Sequence, residues 1–120
     1  MRSCLEIAFC LSLLACGTDT GATEGPPDPD VCETTFVDYA TVGRPFMLDW
    51  CTGCHSSTLP PTMRQDAPID VNFDDHASVI AWGERIRIRA AGTNPTMPPA
   101  GGPSDEERAL IAEWIDCGAK

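Results

Sequence analysis

The segment Trp50-Cys51-Thr52-Gly53-Cys54-His55 sets two thiols three positions apart and an imidazole directly after the second. Three chemistries use such a cluster: a redox dithiol, part of a zinc shell, or covalent attachment of haem. A redox dithiol of the thioredoxin kind sits where a strand meets a helix in a βαβ pattern. Here the motif follows a helical pattern and no strand alternation is visible. A structural zinc ion needs four ligands, commonly from a second Cys or His pair. The chain offers only His55 and His76, with Cys32 and Cys117 far from the motif. Cys51, Cys54 and one histidine leave the fourth zinc ligand without an obvious source. C-x-x-C-H is also the attachment pattern of c-type haem. Its two thiols add across the two vinyl groups, and the next residue offers its imidazole to the iron.

A six-coordinate electron-transfer haem takes a second axial ligand, and methionine is the usual choice where a high potential is needed. Met97 stands in Asn94-Pro95-Thr96-Met97-Pro98-Pro99, outside any helical pattern. The prolines restrict the loop and suit it to presenting a thioether at a fixed place. A gap-filling core methionine is the alternative reading, and it fits a proline-flanked loop poorly. Met47 falls on a helix face, and Met63 follows the motif too closely to cross the ring easily. His76 would give a bis-histidine site, but its place at a helix start suits a surface histidine.

Three helical patterns must position these groups, with loops rich in Pro and Gly between them. The first runs from about Thr35 to Cys51. Thr35 and Asp38 are spaced as a capping box, and Gly43 and Pro45 predict a kink or break. The second runs from about Asp75 to Ala91 and sets Val79, Gly83, Ile86 and Ala90 on one face. The third begins with Ser104 and Glu107 as a capping box and buries Leu110, Ile111, Trp114 and Ile115. Gly118 marks its stop. The intervening stretches, 55–75 and 92–104, are long for so small a domain. A flat apolar cofactor would give them something to pack on. The predicted class is all-α, with about three main helices.

The 120 residues allow one domain at most, and a core that small usually needs staples or a cofactor. The net charge of −10 argues against a nucleic-acid partner. Residues 16–33 carry five acids and no base, whereas 34–120 carry 12 acids and 7 bases. Half of the negative charge therefore belongs to a Gly/Thr/Pro/Asp-rich stretch expected to be a disordered tether.

Residues 1–15 have one basic residue, Arg2, and then an apolar run, interrupted at Glu6, that is too short for a confident membrane span. This is the pattern of a secretory signal. Leu13-Leu14-Ala15-Cys16 resembles a bacterial lipobox, which implies cleavage before Cys16 and lipid on its sulfur. Ordinary secretion with cleavage elsewhere is the alternative. Either route leads to an oxidising compartment. A tether of this length would reach ~20 Å as a flexible coil.

Taken together, residues 34–118 resemble small mono-haem c-type cytochromes of class I. The resemblance rests on a helix running into Cys51–His55, a long loop, a middle helix, the Met97-Pro98-Pro99 loop and a final amphipathic helix. The ending from Glu107 to Ala119 is also similar to that of short lipoprotein cytochromes of environmental bacteria. The resemblance implies one haem c, thioether-linked at Cys51 and Cys54, with His55 as proximal and Met97 as distal ligand. It implies a first and a last helix that cross beside the haem, with Phe46 or Trp50 against Trp114. Such a crossing would bring Cys32 and Cys117 together as a disulfide, Cys4 and Cys10 having left with the signal. Arg64, Trp82, Arg85 and Arg89 are candidate partners for the haem propionates, with Arg87 beside them. A solvated basic face is the equal alternative for these arginines.

The function implied is one-electron transfer by a monomer anchored at the cell envelope, on the periplasmic side of the inner or outer membrane. Redox proteins of the envelope would be its partners, and it would not itself be an enzyme. A haem sensor or redox-enzyme subunit with a displaceable Met97 is a second class, although Asn94 is the only polar candidate near that ligand. A haem-free structural or metal-binding lipoprotein is the third.

Overall fold

The computed structural model describes residues 27–120. The expected signal sequence, Cys4, Cys10 and Cys16, the expected lipidation residue, lie outside them. The described residues are helical, without a strand among them.

Helix α1, Pro29–Thr34, opens the described part. Asp28 caps it by accepting a hydrogen bond from the Asp30 N–H (3.1 Å), and Pro29 follows at the first helical position. This helix falls within the stretch expected to be a tether. Composition there hides a local start signal, and the bond between Cys32 and Cys117 (Cα–Cα 5.3 Å) pins the helix to the end of the chain.

The first predicted helix begins later than expected. The capping box is Asp38 with Thr41, not Thr35 with Asp38: Asp38 accepts from the Thr41 N–H (2.7 Å) and Thr41 Oγ1 accepts from the Asp38 N–H (3.0 Å). A wide π-helical turn, Tyr39–Gly43, then leads directly into α2, Arg44–Trp50. Pro45 has no N–H for the preceding turn, and the widened winding accommodates that loss. The predicted break is thus a change of pitch. Gly43 is essential to it, because a Cβ there would lie 2.9 Å from the Trp114 ring and 2.9 Å from the Tyr39 ring. The first segment therefore packs tightly against the last helix at Gly43. Phe46 and Met47 are buried core residues, while Trp50 reaches the other end of the last helix.

The second predicted helix is two helices, α3 (His76–Ala81) and α4 (Gly83–Ala90). Asp75 caps α3 through the Ser78 N–H (2.9 Å). Trp82 breaks the run in a non-helical conformation (φ −103°, ψ 5°), next to a glycine that lowers the helical preference locally. Val79, Gly83, Ile86 and Ala90 are all buried nonetheless, so the apolar stripe survives the break.

Helix α5, Asp105–Asp116, has the predicted capping box: Ser104 Oγ accepts from the Glu107 N–H (3.2 Å), and Glu107 Oε2 accepts from the Ser104 N–H (2.7 Å). The second carboxylate oxygen of Glu107 accepts from Trp50 Nε1 (3.1 Å), joining the end of α2 to the start of α5. Ile111 and Trp114 are completely buried. The Trp114 indole donates to the carbonyl of Lys120 (2.9 Å), which also accepts from the Tyr39 N–H (2.8 Å).

Candidate functional site

The C-terminus of α2 makes the first wall of the site. The Met47 carbonyl accepts from the N–H groups of Cys51 (3.0 Å) and Thr52 (2.9 Å). The Cys51 carbonyl then accepts from Cys54 (3.1 Å) and His55 (2.9 Å). One tight turn thus puts both thiols and the imidazole on a single wall. They border a cleft of about 220 Å³ whose other walls include Val71, Phe73, Ile86 and Ala90.

Met97 lines the same cleft from the opposite loop, together with Trp82, Arg85 and Arg89. The structure therefore brings together seven of the residues singled out in the sequence. His76 is elsewhere: it stacks on Tyr39 (ring centroids 4.0 Å apart) and bonds the Ala119 carbonyl through Nε2 (2.7 Å). Met47 is buried in the core, and Met63 stands exposed on a short 3₁₀ turn, Pro61–Met63.

His55 is held in one orientation. Its Nδ1 lies 3.2 Å from the Val71 carbonyl, and its ring packs against Phe73 (centroids 4.9 Å). Its own carbonyl accepts from the Phe73 N–H (2.9 Å), so the long loop returns onto it. A carbonyl can only accept, so a neutral His55 carries its proton on Nδ1 and leaves the Nε2 lone pair free. Burial lowers the His55 pKa most. The bond to Val71 opposes this, and the Arg64 charge adds to it. The ring is held neutral, the state in which an imidazole binds a metal.

Cys51 has the opposite character to the nucleophile of a redox dithiol. Burial pushes the Cys51 thiol up to about 12. Reactive dithiols depend on a lowered thiol pKa, which this environment does not supply. Cys51 and Cys54 are not bonded to each other in the structure. Among the described residues, no three His, Cys, Asp or Glu side chains gather as a metal shell.

The Met97 loop hangs from α4 and α5. The N–H groups of Thr96 (2.8 Å) and Met97 (2.9 Å) both donate to the Arg89 carbonyl. Arg108, on α5, donates through Nη1 to the carbonyls of Met97 (3.0 Å) and Ala90. Nearby, Gly102 adopts φ +132°, and a Cβ there would fall 2.3 Å from the Trp50 ring. That position needs glycine both for its backbone and for the close approach.

The candidate arginines separate into distinct roles. Arg85 and Arg89, four residues apart, border the cleft and are exposed. Arg87 turns to α5 and pairs with Asp116 (3.0 Å). Arg64 does not border the cleft. It is 1% exposed, and its guanidinium donates to the carbonyls of Ala67 (3.3 Å), Ser56, Pro68 (2.7 Å) and Val71 (2.9 Å) and to Asn72 Oδ1 (2.9 Å). Sequence reasoning gave no role to Arg108 or to the Trp50–Glu107 link, although Arg108 lies within the Glu107–Ala119 ending. A second hollow, of about 370 Å³, lies between α4 and α5 and contains neither thiol nor imidazole.

Comparison of the chain with protein-family models, with curated proteins and with solved structures finds no match.

Proposed function

We propose that this chain is a one-electron carrier holding one haem c in the cleft. One observation carries the reading: His55, Cys51, Cys54 and Met97, from two separate loops, border a single cleft with mostly apolar walls. The donor set suits the group. Cys51 and Cys54 would hold it by thioether bonds, His55 through Nε2 and Met97 through Sδ. When bound, haem supplies an iron that takes up and releases one electron without bond changes at the metal.

The chain's own residues do the rest. Val71 orients the imidazole, and the prolines beside Met97 fix the thioether. Trp82, Arg85 and Arg89 offer an indole N–H and two guanidinium groups for the propionates. Val71, Phe73, Ile86 and Ala90 exclude water. The reading includes a class I cytochrome c fold, anchoring through Cys16 at the cell envelope, and transient docking with envelope redox proteins over a small interface.

The test is the visible spectrum of the reduced protein with carbon monoxide at neutral pH. A carrier with both axial positions filled gives an unchanged spectrum. A shifted Soret band would show an open or displaceable Met97 and would support the sensor or enzyme-subunit reading instead.

A further inference from the structure

Arg64 is the largest fully buried side chain after Trp114. Among the described residues it has no carboxylate partner, and every acceptor it finds is a neutral oxygen. A buried cation without a counter-charge is costly unless its donors are filled. Here four backbone carbonyls and one amide oxygen fill them; no carboxylate bonds the guanidinium, although its charge reaches the Asp74 carboxylate through space and helps to lower that group's pKa. One of those acceptors, the Val71 carbonyl, is also the acceptor for His55 Nδ1. A carbonyl already bonded to a guanidinium has less electron density to give the imidazole N–H. The charge also acts on His55 through space.

We infer that Arg64 is a positioning residue that also raises the reduction potential of the His55-ligated iron, through its fixed charge and its hold on the Val71 carbonyl. The inference rests on the haem reading given above. Both effects have the same sign. The ferric state carries one more positive charge than the ferrous, so a nearby buried cation disfavours it. A weaker Nδ1–H···O bond makes the imidazole a poorer donor, which also disfavours the ferric state. One electron passes from a donor protein to the ferric iron, giving ferrous iron, and no proton moves on His55 or Arg64.

The experiment measures the midpoint potential of the haem-loaded chain by spectroelectrochemistry, with intact mass taken on each sample. Arg64→Gln removes the charge and is expected to lower the ferrous preference at least tenfold, about 59 mV for one electron. Asn72→Asp is the gentler variant, because it places a carboxylate on Nη1 and neutralises the charge while keeping the fork. It is expected to shift the potential in the same direction. Arg64→Lys keeps the charge and is expected to stay closer to the wild type than Arg64→Gln. If Arg64→Gln loses haem, Asn72→Asp decides. An unshifted potential in haem-loaded Asn72→Asp overturns the inference and leaves the haem reading intact. A wild-type chain without haem mass overturns both.

Discussion

The two loops that present His55 and Met97 are held in different ways. On the His55 side, five hydrogen bonds from one buried guanidinium gather the backbone from Ser56 to Asn72. On the Met97 side, one half-exposed arginine reaches two carbonyls with a single nitrogen, and the Arg89 carbonyl takes two N–H groups. The first loop is organised around its own interior. The second is attached by its edges to α4 and α5. A ligand on an edge-held loop leaves its place at a lower free-energy cost, because fewer buried bonds break. The His55 loop is accordingly built for permanence, and the Met97 loop depends on Arg108 and the Arg89 carbonyl.

The largest difference between the loops should show when His55 and Met97 are removed in turn. His55→Ala is expected to abolish stable haem incorporation. Met97→Ala is expected to keep covalent haem, lose the long-wavelength ferric band of thioether ligation, and bind carbon monoxide when reduced. Haem mass and spectra on the two purified variants check this, and equal losses from both would erase the asymmetry. Arg108→Met should act next in size. It is expected to weaken the thioether band and admit carbon monoxide slowly, while haem attachment stays at the wild-type level.

The Cys32–Cys117 disulfide lies outside both loops and should act independently of them. Cys32→Ser with Cys117→Ser frees a closed loop spanning a sequence separation of 85. The expected loss is ~4 kcal/mol in the chain-entropy model, read by denaturant unfolding, with the haem spectrum unchanged in the folded fraction.

The smallest expected effect is on acid stability. Glu107 is held below the usual carboxylate range first by the Ser104 N–H and then by the Trp50 indole. Asp38 and Asp75 are lowered by the backbone N–H groups of Thr41 and Ser78. Groups with a depressed folded pKa stabilise the fold above their ordinary values, and that stability is lost as the pH falls through the lowered ones. Glu107→Gln is therefore expected to melt at a lower temperature than the wild type at neutral pH. The two should converge as the pH falls below the carboxylate range, as thermal melts over pH would show.

Much of this arrangement is visible in the sequence, and the exceptions share a cause. The motif at Cys51–His55, the Ser104–Glu107 box, the buried stripes and the Met97 loop all carry their signal in side-chain types at fixed spacing. The break at Trp82 does not, because the stripe of Val79, Gly83, Ile86 and Ala90 continues through it. The roles of Arg64, expected at the propionates, and of Arg108, given none, are hidden for another reason. A guanidinium that pairs with a carboxylate leaves an acid to be found in the sequence, as Asp116 does for Arg87. One that pairs with backbone carbonyls leaves no such mark, since every residue has a carbonyl. Helix α1 was concealed by composition, its Asp28-Pro29 start lying among residues that otherwise suit a tether.

A one-electron carrier of this kind requires that Cys51 and Cys54 carry haem. Intact and peptide mass spectrometry of the full chain, made in a host able to attach haem c, tests it most directly. A mature chain heavier by one haem is expected, with the added mass on the peptide containing Cys51 and Cys54 and resistant to acid-acetone extraction. A chain without that mass, with Cys51 and Cys54 as free thiols or joined to each other, would contradict it.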